Sequence, residues 1–131
     1  NPEIIRKYEF TTNYMGAKVK ETDDWCFKKS SGYVTNYARG GEDCYQGYGI
    51  SFWNQEDSEK LKADLMKVYN SRAGKENLWE FVPLKICKKN YRVEVRSIHK
   101  SDIAEIDTFE ELISVDPSYA NYPGHEGFET K

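Results

Sequence analysis

Cysteine, histidine and methionine are scarce in this chain, and the scarcity removes several classes of function. Its three cysteines, Cys26, Cys44 and Cys87, form no CxxC pair and are odd in number. That argues against a disulfide framework and against a zinc site, and for a reducing cytoplasmic setting. The two histidines, His99 and His125, have no partner spacing for metal binding or acid–base chemistry and read as surface residues. No apolar run approaches the length of a membrane span, and no secretory pattern is present. Neither sign of charge dominates. The formal net charge is −3 with acids and bases interleaved, so no nucleic-acid footprint is expected.

What is abundant is aromatic. Within 131 residues there are ten tyrosines and three tryptophans, a heavy load for so polar a chain. That length fits one compact domain, and aromatics beyond the needs of its core are often binding surface. The chain opens on Asn1-Pro2 rather than on methionine, so an upstream segment is expected.

Residues 1–9 carry an Asn cap, a first-turn Pro and an apolar side, the pattern of a short helix. Residues 24–28 and 33–37 flank Ser30-Ser31-Gly32 as a hairpin, and residues 39–43 read as a polar break. The run 48–53 predicts a strand buried on both faces. Leu61, Leu65, Val68 and Tyr69 share one face of an amphipathic helix over 58–69. A second helix is expected over 76–88, kinked or ended by Pro83. Alternation over 91–98 predicts a half-exposed strand, and 103–107 a short strand with Ile106 pointing inward. Thr108 and Glu111 have capping-box spacing for a following helix. Asp116-Pro117 makes a turn, and residues 123–131 form a poorly ordered tail. The fold class expected is mixed α/β, with roughly five strands and four helices.

Two constellations carry chemistry. Asp107 would sit at the C-terminal end of a strand just before a helix, where open α/β sheets bind ligands. A carboxylate there can hold Mg²⁺, which takes one or two protein carboxylates and fills its other positions with phosphate oxygens and water. On local sequence alone, a carboxylate that complements the helix dipole is the simpler reading. The second constellation is Trp25, Tyr48, Trp53 and Trp79 with Glu80. Aromatic faces with a carboxylate suit a quaternary ammonium, and a sugar could stack there as well. Core filling is the ordinary use of Trp53, whereas Trp25 and Trp79 have charged neighbours. The basic stretch Lys85, Lys88, Lys89, Arg92 and Arg96 reads as a solvated face.

The order of these motifs resembles the C-terminal half of bacterial nucleotidyltransferases of the sugar-phosphate type, nearest their phosphocholine cytidylyltransferase-like branch. It rests on Asp23-Asp24-Trp25, Gly49-Ile50-Ser51-Phe52-Trp53, Glu56-Asp57, Leu78-Trp79-Glu80 and Glu105-Ile106-Asp107-Thr108-Phe109-Glu110-Glu111-Leu112, with Asp116-Pro117-Ser118-Tyr119 closing. The likeness covers the chain through residue 122 and implies a Rossmann-like nucleotidyltransferase sheet flanked by helices, present as its acceptor-side half. It further implies that Trp25, Trp79 and Glu80 line the acceptor pocket and that Asp107 holds Mg²⁺. The complete enzyme would transfer a nucleoside monophosphate from an NTP, CTP in this branch, to phosphocholine or a sugar phosphate, releasing pyrophosphate. The family's Gly-rich nucleotide loop is absent from these residues, so the chain alone is expected to be inactive and to seek its missing half, or itself, through an open sheet edge. Two alternatives stay open: a hexose-1-phosphate nucleotidyltransferase, and a non-catalytic carbohydrate-binding module.

Overall fold

The computed structural model describes residues 10–122; the expected helix over 1–9 and the tail from 123 lie outside them. Two compact units divide between His99 and Lys100.

The first unit is built on a long hairpin, β1 (Asn13–Ser30) and β2 (Tyr33–Phe52). Ser31 and Gly32 turn it with φ of 51° and 89°, the pair of positive values that matches the twist of the flanking strands. Both strands bend, so that each serves two ladders. The start of β1 pairs with the end of β2, from Asn13 opposite Phe52 to Thr22 opposite Gly41, and its last part pairs with the start of β2, down to Ser30 opposite Tyr33. Tyr45 and Gln46 are flanked on both sides by β1, by Lys18 and Ala17 on one and by Phe27 and Cys26 on the other. The polar stretch 39–43 is therefore no loop. It is where β2 bends, with Gly40 and Asp43 at positive φ.

The third strand, β3 (Glu94–Ile98), runs parallel to β1 from Asn13 opposite Glu94 to Ala17 opposite Ile98. Tyr33 pairs with Glu94 and closes the ladder into a small barrel. Tyr14, Phe27, Tyr37, Tyr45, Tyr91, Val93 and Val95 form the core with Leu61 and Leu84. The strand expected over 48–53 ends β2, but Ile50 and Phe52 are 42% and 41% exposed. Only one of its faces meets protein.

Helix α1 (Gln55–Tyr69) follows directly. Asn54 caps it, its Oδ1 accepting from the Asp57 N–H at 2.8 Å, an arrangement worth about 1 kcal/mol. The Thr12 hydroxyl donates to Asp57 Oδ2 at 2.5 Å and accepts from the Asn54 N–H, and Lys60 pairs with Asp57 at 2.8 Å. These bonds fasten the helix start to the segment leading into β1. The continuous helix expected over 76–88 is not formed. Instead the chain makes a 3₁₀ turn at Gly74–Glu76, a π turn at Val82–Ile86 and another 3₁₀ turn at Lys88–Asn90. Pro83 has no N–H to give an α ladder, and the Cys87 N–H reaches back five residues to the Val82 carbonyl at 2.7 Å.

In the second unit, residues 103–107 are not a strand, and Ile106 is 43% exposed rather than core-facing. Helix α2 (Phe109–Val115) starts at Thr108 with the expected capping box. The turn at 116–119 extends into a 3₁₀ helix, Pro117–Asn121.

Candidate functional site

Trp25 stands opposite Arg39 in the hairpin, which makes Tyr37 its diagonal neighbour on the same face. Their rings stack 5.4 Å apart at 9°. Phe81, at the head of the π turn, closes on both edge-on, 5.3 Å from Trp25 and 6.2 Å from Tyr37. Tyr14 lies beyond, edge-on to Tyr37 at 6.2 Å and to Phe27 at 5.6 Å. Tyr14 and Tyr37 are buried, whereas Trp25 and Phe81 are half-buried. The cluster therefore runs from the core to the surface, and each pair adds about 0.5–1.5 kcal/mol beyond simple burial.

Glu80 places a carboxylate beside it. The Tyr14 and Tyr37 hydroxyls share a hydrogen bond, and the negative charge of Glu80 acts on both. Burial foremost, then Tyr37 and Glu80, push the Tyr14 hydroxyl well above its ordinary range. Burial is also the main cause of the rise at Tyr37. Gly49 has φ 69°, and a Cβ built there would lie 3.9 Å from Glu80 Oε1. The bend of β2 at Gly49, the tyrosine pair and Glu80 therefore adjoin one another. An acid beside aromatic faces is suited to an ammonium group. Lys85 Nζ stands 4.7 Å from the Phe81 centroid and occupies one face of that ring.

Of the three acceptor residues expected from sequence, Trp25 and Glu80 come together here. Trp79, 39% exposed, makes its ring contact with Trp53 at 6.2 Å, and Trp53 in turn meets Tyr91 at 5.7 Å. Sequence reasoning missed Tyr37 and Phe81. Tyr37 carries no local signal, because its role follows from the diagonal of the ladder. Phe81 could have been found as the neighbour of Glu80.

Asp107 belongs to the second unit and is exposed. Its N–H and that of Thr108 both donate to Glu111 Oε2, at 2.7 and 3.1 Å, so the helix start is satisfied without the Asp107 carboxylate. That carboxylate has no hydrogen-bond or ion-pair partner among the described residues. No three metal-ligating side chains gather among them, and Mg²⁺ completed by phosphate oxygens and water does not need three. Asp107 fits as a single ligand.

No family model matches the chain. It is 27% identical over 112 residues to a 2-aminoethylphosphonate cytidylyltransferase of Lancefieldella rimae, a match that takes in 81% of this chain and 44% of that protein. Its fold aligns with the solved CTP:phosphocholine cytidylyltransferase of Streptococcus pneumoniae at a TM-score of 0.64 and 21% identity, over 82% of this chain and 48% of that one. The chain thus spans about half the length of the proteins it matches. In sequence and in fold it is similar to cytidylyltransferases.

Proposed function

We propose that the chain is the acceptor-side portion of a cytidylyltransferase whose acceptor carries an ammonium group and a phosphate or phosphonate. The observation that carries this reading is the cluster of Trp25, Tyr37 and Phe81 beside the carboxylate of Glu80. A quaternary ammonium donates no hydrogen bonds, so its recognition needs aromatic faces and a nearby negative charge. The relatives' acceptors, phosphocholine and 2-aminoethylphosphonate, both join a cation to such an anion. A hexose 1-phosphate has no cation and would leave the carboxylate near the tyrosine pair without a matching charge, so the ammonium reading is preferred over the sugar reading.

In the complete enzyme an oxygen of the acceptor's phosphate or phosphonate would attack the α-phosphate of CTP in line and release pyrophosphate. The box would anchor the far end of the acceptor, which restricts the directions in which the oxygen points. Independently of that cluster, Asp107 is the residue that would hold Mg²⁺, whose chemistry is to neutralise charge on phosphate oxygens. The solvent-exposed carboxylate of Asp107, not consumed by the capping box, supports that assignment.

The test is phosphocholine binding by calorimetry. Each desolvated cation–π contact contributes about 2 kcal/mol, so Trp25→Ala and Phe81→Ala weaken binding by roughly tenfold or more. Trp25→Phe weakens it less, because a ring face remains, and Glu80→Gln weakens it through lost charge at nearly constant shape. Trp79→Ala, whose ring rests on Trp53, has the smaller effect. Parent-like affinity in Trp25→Ala, Phe81→Ala and Glu80→Gln together would remove the site.

A further inference from the structure

The basic stretch that reads in sequence as a solvated face has another geometry in three of its members. Lys85, Lys88 and Lys89 line a cleft of about 780 Å³ between residues 34–38 of β2 and residues 83–91. All three reach the same cleft where the π turn Val82–Ile86 runs into the 3₁₀ turn Lys88–Asn90. Leu84, Tyr91 and Val93, all buried residues, contribute apolar wall. No carboxylate lines the cleft. Among the described residues neither Lys88 nor Lys89 has an ion pair, and Lys85 has only the face of Phe81.

Three like charges around one concavity repel one another, and a group bearing two negative charges relieves that repulsion best. The volume is within the range of small-molecule sites, about 300–1,000 Å³. The apolar wall adds a surface that a bare inorganic ion would not use. From these features we infer that the cleft binds a phosphate monoester, its dianionic head among Lys85, Lys88 and Lys89 and its organic body against Leu84, Tyr91 and Val93. The cleft shares Tyr37 with the Glu80 site but is of opposite polarity, and the inference rests on its three lysines and apolar wall, not on ammonium recognition at Glu80. The head-group chemistry is shared by soluble phosphate esters and by phosphatidic acid at a lipid surface.

Phenyl phosphate, which has the dianion and an apolar ring but no ammonium and no nucleoside, is the probe to titrate against the 131-residue chain by NMR. Saturable binding is expected at low ionic strength, weaker as salt screens the lysines, with shifts centred on residues 34–38 and 83–91. Benzyl alcohol, uncharged, binds about tenfold more weakly or not at all. Changing all three lysines to glutamine lowers affinity by at least about tenfold, while changing all three to arginine keeps it within about threefold. Because the lysines are exposed, circular dichroism is expected to be unchanged. Ala38→Trp, which fills the cleft without touching its charge, is a second variant expected to block binding. Vesicles containing phosphatidic acid separate the sources: co-sedimentation abolished by the glutamine changes assigns the lipid, and its absence beside phenyl phosphate binding assigns a soluble ester. The inference is overturned if phenyl phosphate does not bind saturably, if the triple glutamine variant binds as the parent does, or if the shifts map elsewhere.

Discussion

Tyr91 shows how a single side chain links core, helix and titration. Its ring is buried against Trp53, while its hydroxyl donates to Asp64 Oδ2 on α1 at 2.6 Å. Asn90 donates to the same oxygen at 3.0 Å, and Lys60 caps the Asn90 carbonyl at 3.0 Å. The Tyr91 hydrogen bond, then that of Asn90, hold the Asp64 carboxyl below its ordinary range. A carboxyl with a lowered folded pKa stabilises above its unfolded value, about 3.9, and that contribution is lost as pH falls through the folded value. Tyr91→Phe should therefore cost about 1 kcal/mol at pH 7, at the low end because Asp64 is half-exposed. The difference from the parent should shrink once both proteins are in acid below that range. Urea unfolding at neutral and acid pH measures it, and an equal gap at both would mean that the phenol acts only by packing. The thiols are simpler. Burial, followed by contact with Cys44, pushes the Cys26 thiol up to about 11, which suits a core filler and not a nucleophile.

Among the elements, the hairpin depends on close approach of its strands at Gly16. At Gly16 a Cβ would stand 2.5 Å from Phe27 Cζ and 2.9 Å from Tyr45 Cβ, where those two rings stack 5.7 Å apart. Gly16→Ala must displace buried aromatics, and overpacking of that kind costs about 1–3 kcal/mol. A thermal unfolding midpoint unchanged from the parent would show that the rings can shift freely. Nothing in the local sequence marks Gly16, because its neighbours across the fold create the constraint. By contrast α1 is legible over 58–69, where Leu61 and Val68 face inward as their spacing requires, although it starts three residues earlier behind Asn54 and Tyr69 is exposed. The box at Thr108 and Glu111 is equally local. The segment 76–88 misleads because its apolar residues have helical spacing, whereas Pro83 and the packing of Phe81 on Trp25 and Tyr37 divide it into separate turns. Residues 103–107 mislead for the opposite reason. They have strand-like composition but no strand to pair with among the described residues.

At the scale of the molecule, the order of motifs along the chain pointed to cytidylyltransferase-like relatives, and a mixed α/β fold agrees with them. The barrel closure and the long, bent strands were not legible, since they depend on pairings between residues as far apart as Tyr33 and Glu94. The candidate site was half legible. Trp25 and Glu80 follow from the motifs, but the ladder and the π turn supply Tyr37 and Phe81. The central claim is that this site recognises positive charge on the acceptor. The most direct measurement compares the affinity of the chain for phosphocholine and for 3,3-dimethylbutyl phosphate, in which carbon replaces the ammonium nitrogen at nearly the same shape. Loss of a cation–π contact and of the attraction to Glu80 predicts at least about tenfold weaker binding of the analogue with the uncharged head, and a much smaller difference in Glu80→Gln. Equal affinity of the parent chain for the two would contradict it.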